Sequence, residues 1–442
     1  MDGQVVLRGH IVSFKGDPFV SPIDKVLVDI NDGLVIIRNG TIQEVGQYRE
    51  LIDHVDNIAT VIHYPDSIIT AGFIDTHVHY VQTPIIASFG EHLIDWLHKY
   101  TFPEEERFAD LDYAAIVAKI FFDELLRNGT TSALVFCSVF PESVDAFFTE
   151  SLRRNMRMIG GKVLMDRNAP PAILHTAQSD YDDSEALIKK WHGRSRNSYA
   201  LTPRFAPTST EDQLQATATL HRKYPSTLIQ THISETVSEV SWVRSLFPHR
   251  NGYLDVYDHA GLLGPGTILA HGIHLTESER EHCAESRTAV AHCPTSNLFL
   301  GSGLFHMGLA KNTKHQIRVG LGTDIGGGTR FSLLATMGEA YKVGELTSYP
   351  LDGVKLFYLA TLGGAEVLGM DDKVGSVEVG KEADLVVLDP QATPLLAFRY
   401  TQTTSTIEQL FLLAIMGDDR TVTATYIAGQ LAYNHKNASA EL

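Results

Sequence analysis

Apolar, strand-length runs recur eight times through the middle of the chain, at residues 68–79, 133–137, 157–165, 199–205, 227–234, 267–271, 288–292 and 317–323. Between most of them the apolar spacing turns helical, as at 113–128 (ended by Gly129), 143–154 and 211–223. Strands alternating with helices predict βαβ units and a parallel sheet. Eight such repeats over about 250 residues match the size of a (β/α)8 TIM barrel, an α/β architecture. An open doubly wound sheet is the competing topology. No Gly-x-Gly-x-x-Gly follows the first strand, which weakens a dinucleotide-binding version of that sheet.

The two ends read differently. Residues 5–14 and 34–45 are rich in β-branched side chains, and the second run is interrupted by Asn39-Gly40, a strong hairpin-turn signal. Residues 375–389 read as turn and strand, and 420–433 add further strands. β-rich ends around an alternating middle predict one small β domain built from both termini, residues 1–70 with 372–442, beside a barrel of residues 71–371. The small, polar tail at 436–442 is expected to fray.

Composition narrows the class of function. With 44% hydrophobic and 20% charged residues the chain is that of a globular protein. A formal net charge of −17 argues against a phosphate backbone or an anionic membrane as partner, while leaving a neutral nucleobase open. Cys137, Cys283 and Cys293 form no Cys-x-x-Cys pair, so neither a disulfide framework nor a thiolate zinc site is indicated. Residues 1–15 do not read as a signal peptide, and no run of eighteen apolar residues occurs. A cytoplasmic location is the expectation.

The chemistry sits where barrel strands end. Strand one ends in His77-Val78-His79, whose i and i+2 spacing aims two imidazoles to one side. Strand five ends in His232-Ile-Ser-Glu235, strand six in His271 and strand eight in Asp324. Neutral imidazole is the commonest protein ligand for zinc, and three histidines with one carboxylate suit a single Zn²⁺ with a place left for water. Fe²⁺ or another divalent ion fits the same donors. Taken singly, each residue is better read as a hydrogen-bonded histidine or a turn aspartate. Their coincidence at strands one, five, six and eight favours a site. Glu235, just past its strand, is placed to take a proton from metal-activated water, whose pKa zinc lowers to roughly 7. His271 and Asp324 are then the groups that orient the nucleophile or a developing oxyanion.

Phe73-Ile-Asp-Thr-His-Val-His79, Thr231-His-Ile-Ser-Glu235, Ala270-His-Gly272, His292-Cys-Pro-Thr-Ser-Asn297 and Gly322-Thr-Asp324 together resemble the amidohydrolase superfamily, and its mononuclear deaminase branch in particular. His79-Tyr-Val-Gln82, Asp95-Trp-Leu-His-Lys-Tyr-Thr-Phe-Pro103 and Thr202-Pro-Arg-Phe205 are similar to members of that branch that act on guanine. The likeness runs from about residue 5 to 434. Ala71, where many relatives carry Pro, is a departure that touches no ligand. The resemblance implies a barrel with a composite β-sandwich, a homodimer, and hydrolysis of guanine to xanthine with loss of ammonia. It implies His77, His79, His232 and Asp324 as ligands of one zinc per subunit, Glu235 as proton shuttle and His271 as the histidine that orients hydroxide. Gln82, Arg204 and Phe205 match guanine-contacting positions, and His232 and Glu235 border the same ligand. Arg and Gln can hydrogen bond along a base edge and Phe205 can stack on it. Trp96 reads equally as a pocket wall and as a core aromatic.

Binuclear relatives use a carboxylated lysine at the end of strand four. Lys223 is the only lysine between Trp191 and Trp242 and lies in a helical run, and Lys162 sits early in strand three, so one metal is expected. The other family of zinc base deaminases carries His-x-Glu with Pro-Cys-x-x-Cys, and neither element occurs. Two other readings compete: the same chemistry on another ring (an oxidised guanine, a triazine, cytosine), and a non-catalytic scaffold. The complete ligand set speaks against the scaffold.

Overall fold

In a computed structural model describing residues 4–57, 59–90, 92–311 and 316–435, the eight apolar runs become eight parallel strands. They are β1 (Phe73–His79), β2 (Thr130–Phe136), β3 (Arg157–Gly161), β4 (Ser198–Pro203), β5 (Leu228–Ile233), β6 (Thr267–His271), β7 (Ala289–His292) and β8 (Val319–Leu321). Each pairs with the next in chain order, and Val163–Leu164 adds a short pairing with β4. The ring closes between β8 and β1: Asp324 N donates to the His77 carbonyl at 2.9 Å and Thr76 Oγ1 to the Leu321 carbonyl at 2.9 Å. The expected barrel is therefore present. The tail at 436–442 lies outside the described residues.

Helix Leu111–Arg127 illustrates how the sequence builds the outer layer. Asp110 caps it, its side chain accepting from Asp112 N and Tyr113 N. Such a cap contributes about 1 kcal/mol. Ala114, Val117, Ala118, Phe121, Phe122 and Leu125 fall at helical spacing and are buried, forming the stripe that faces the strands. The barrel's N-terminal end is filled by Ile74, Leu134, Ile159, Ala200 and Ile268, which pack with Leu368, Met370 and Val374. The opposite end, where strands run out, is left for polar groups.

The termini join in one seven-stranded sheet that also receives Leu385–Leu388. Leu27–Arg38 and Thr41–Gln47 form the expected hairpin, with Asn39 at φ 50° and Gly40 at φ 79°, as a two-residue turn of that hand requires. The sheet curls onto itself: Ile42 N donates to the Lys381 carbonyl at 2.8 Å, and Gly380 N to the Ile42 carbonyl at 2.9 Å. It thereby wraps a core of Leu7, Ile11, Val35, Ile69, Val387 and Tyr426, which is the composite β-sandwich. Helix Thr406–Met416 instead packs on the barrel helices Leu333–Leu346 and Gly353–Leu359.

The run at 68–79, read from sequence as one strand, is two. Thr60–Ala71 belongs to the terminal sheet and β1 to the barrel, with Gly72 between them. A Cβ at Gly72 would lie 2.2 Å from the Thr131 side chain, so only glycine lets the chain pass from one sheet to the other there.

Candidate active site

At the C-terminal mouth of the barrel, one donor atom each from His77, His79, His232 and Asp324 lies within 4.8 Å of the others. Asp324 Oδ1 is 3.1 Å from His77 Nε2 and 3.3 Å from His79 Nε2, and His79 Nε2 is 3.2 Å from His232 Nε2. Residues from β1, β5 and the turn after β8 are thus brought to one point. The β1–β8 seam explains the placement of three of them. Asp75 is fully buried there and accepts from Thr323 N at 3.0 Å, from the Thr323 hydroxyl and from His77 N at 3.2 Å. Burial pushes its carboxyl up to about 7 against those bonds.

The donor set fits a cation. His77 Nε2 is buried without a hydrogen bond. His232 Nδ1 donates to the Arg204 carbonyl at 2.7 Å, so its Nε2 presents a lone pair to His79. Burial holds His79 down at about 3 and His77 and His232 below the ordinary histidine value, so the imidazoles are neutral. Burial also disfavours the Asp324 charge, yet the neighbouring histidines hold it well below the usual carboxylate range. Imidazole nitrogens and a carboxylate oxygen converge on one point, a donor set that suits a cation. A second trio of His271, Cys293 and Asp324 overlaps this one. Burial raises the Cys293 thiol far above its ordinary value, which leaves it a poor ligand.

Glu235 and His271 stand beside the cluster. His271 Nε2 is 3.4 Å from Glu235 Oε2 and 3.7 Å from Asp324 Oδ2. Burial raises Glu235 in spite of His271, as a proton carrier near neutral pH needs. For His271 burial works downward, and the two carboxylates with the Asn297 contact outweigh it. Ser234, His271 and Asp324 all hold positive φ, at 48°, 70° and 51°. Such strain in non-glycine residues gathers where side chains must be aimed.

Three supporting residues were not assigned from sequence. His271 Nδ1 donates to Asn297 Oδ1 at 2.8 Å, which fixes the tautomer. Asn297 lay inside a quoted motif without a role. Ser302 Oγ donates to Glu235 Oε1 at 2.8 Å, and Glu239 Oε2 accepts from Glu235 N at 2.8 Å while closing the capping box of helix Val237–Leu246. Only the i+4 spacing of Glu239 offered a sequence signal. Losing the Ser302 bond raises the Glu235 pKa, because the bond favours the charged form. Ser302→Ala is therefore expected to move the acid limb of kcat/KM upward by about one pH unit. An unmoved limb would show that the contact is idle.

A cleft of about 420 Å³ opens over these groups, lined by Gln82, Trp96, Arg204 and Phe205 among others. The six residues expected around the substrate, these four with His232 and Glu235, all line it. Trp96 is both wall and core: it is 2% exposed and packs with Leu97, Phe102 and Phe205. The lysines weighed as metal bridges are engaged elsewhere. Lys162 pairs with Asp180, and Lys223 with Glu185.

Residues 68–432 match the amidohydrolase family model. The chain belongs to the amidohydrolase family. Within it, the chain is 48% identical over 404 residues to the guanine deaminase of Escherichia coli K12, covering 91% of this chain and 92% of that protein. The solved E. coli guanine deaminase superposes with a TM-score of 0.95 at 45% identity, over 97% of this chain and 99% of that one. A C. acetobutylicum guanine deaminase with bound guanine in its active site matches at 28% identity and TM-score 0.87, over 98% and 100% of the two chains.

Proposed function

We propose that this chain hydrolyses guanine to xanthine and ammonia with one zinc ion held by His77, His79, His232 and Asp324. The observation that carries the reading is the convergence of that donor set with Glu235 and His271 beneath a cleft walled by Gln82, Trp96, Arg204 and Phe205. Relatives bearing the guanine deaminase name over nearly the whole length supply the substrate. A bound divalent ion supplies a Lewis acid that makes water acidic enough to attack at neutral pH.

The chain's own groups do the rest. Arg204 and Gln82 hold the base edge, and Phe205 and Trp96 flank the ring and exclude water. Water adds to C2, forming the C–O bond. Glu235 takes one proton from the water and gives it to the ring nitrogen; it then takes the second from the new C2 hydroxyl and gives it to the amino group as the C2–N bond breaks and ammonia leaves. His271, held by Asn297 at Nδ1 and favoured in its protonated form by the carboxylates beside it, donates from Nε2 to the oxygen as charge develops there. Every residue in this scheme comes from one chain, so the homodimer we expect from the family is not required to complete the site. Cys137, Cys283 and Cys293 are free and buried, which suits a reducing, cytoplasmic compartment.

The test is ammonia release from a panel of guanine, an oxidised guanine, cytosine and an amino-triazine. Guanine is expected to have the highest kcat/KM by a wide margin. Preference for any other ring would overturn the assignment while leaving the metal chemistry intact.

A further inference from the structure

We propose that Glu105 neutralises the base-recognition end of the cleft, so that it accepts a neutral purine and disfavours an anionic one. This rests on the deaminase reading above and extends it to product release. Arg204 Nη1 donates to both Glu105 oxygens at 2.9 Å. The pair is buried, with Glu105 at 0% and Arg204 at 2% exposure. Burial raises the Glu105 carboxyl above its ordinary value, while Arg204 and the Gln82 amide set against it favour the charged form. The Phe102 ring lies 5.5 Å from the guanidinium carbon. The carboxylate thus meets two of the side chains that line the cleft.

An unpaired guanidinium in a buried pocket is an anion receptor, because its fork matches carboxylate and oxyanion geometry. Here the anion is built in. The Arg204 donors not engaged by Glu105, Nε and Nη2, then meet a ligand as donors from a net-neutral pair, which suits a carbonyl or a ring nitrogen. Glu104, next in the chain, turns away to the Tyr113 hydroxyl and to Arg107 at 3.0 Å. Across the cleft the charged or titratable groups are His79, His232, Glu235, His271 and Asp324. None of these neutralises Arg204 locally. Deamination replaces an amino group by a second ring carbonyl, which makes the product a stronger acid than the substrate. In a site of low dielectric one charge decides which form binds. With Glu105 in place the anionic product gains little from Arg204 and leaves.

The experiment uses the metal-loaded full chain. The KM for guanine, kcat, and the inhibition constant of xanthine are measured across the pH range in which xanthine ionises, for the wild type and for Glu105→Gln. In the wild type xanthine inhibition is expected to weaken as the anion forms. In Glu105→Gln it is expected to strengthen, reaching at least about tenfold tighter than wild type at the alkaline end, a difference of about 1.4 kcal/mol. The kcat is expected to change far less than the inhibition constant. Parallel pH trends in the two proteins would overturn the proposal, as would a loss of kcat at a fixed ratio of the two constants. If the unpaired arginine prevents folding, Glu105→Gln combined with Arg204→Gln restores a neutral hydrogen-bonded pair. That double variant is expected to bind guanine more weakly with no gain for the anion, and a gain would sink the idea. No ammonia from guanine with wild-type protein would remove the deaminase reading itself. Ammonia with unaltered inhibition trends would remove this inference alone.

Discussion

Glu235→Gln is expected to fold and bind metal normally while turnover of guanine falls by about 10²–10⁴-fold, the range general acid–base catalysis contributes. Glutamine has the size of glutamate and can still accept from Ser302 Oγ, 2.8 Å from Oε1 in the native protein. Its backbone N–H still meets Glu239. The one thing lost is a proton site that accepts and donates within a single turnover. The carboxylate is fully buried and raised by that burial, and it lies 3.4 Å from His271 Nε2. His271, tied to Asn297, has the proposed orienting role instead. The measurements are kcat, metal content and the thermal unfolding midpoint. Near-normal xanthine production with normal metal content would take the shuttle role from Glu235.

The strand-end residues were legible because the signal is local. A His-x-His at a strand end needs only the two-residue period to aim both rings one way, and the strands themselves announce their ends by loss of apolar character. The barrel's closure was less legible. It depends on Asp75 meeting Thr323, residues 248 apart in the chain, and an aspartate inside an apolar run carries no mark of its partner. The break at Gly72 was hidden for a related reason. Ile68 and Ile69 before it and Phe73 and Ile74 after it are all buried, though in different sheets. An unbroken apolar run does not record a change of partner. Glu105 lies two residues beyond segment 95–103, read as substrate-related, in a run of three glutamates that by composition looks like a solvated face. Only folding places it against Arg204, 99 residues on. Ser302 likewise reaches Glu235 across 67 residues. Candidate ligands were visible where one element presents them, and the groups that hold them in place were hidden because each contact spans two distant elements.

Removal of the metal is expected to abolish ammonia release completely, with recovery on adding Zn²⁺ after the chelator is withdrawn. The donor set makes the dependence steep. Stripped of a cation, the mouth of the barrel holds the Asp324 carboxylate, 3.1 Å from His77 Nε2 and 3.3 Å from His79 Nε2, and the His79 and His232 Nε2 atoms crowded to 3.2 Å, with Glu235 close behind. Uncompensated negative charge in a buried site is costly, and the cation removes that cost in the native state alone. Metal should therefore raise the unfolding midpoint as well as the rate. At a free concentration a hundredfold above the dissociation constant the stabilisation is about 2.7 kcal/mol. His232→Ala tests the same point without chelator: it should lower metal content and activity together, by at least about 10²-fold in rate. It should leave the β1–β8 seam of Asp75 and Thr323 intact, so the protein should unfold at the midpoint of the metal-free wild type. A chelated sample that still releases ammonia at the full rate, or a His232→Ala protein that retains one tightly held ion per chain with normal turnover, would contradict the ligand assignment directly. The thermal readout separates the two ways activity can vanish. An inactive protein whose midpoint does not respond to Zn²⁺ has lost or never had the site, whereas one whose midpoint rises with metal but stays inactive has kept the ligands and lost the proton chemistry around Glu235.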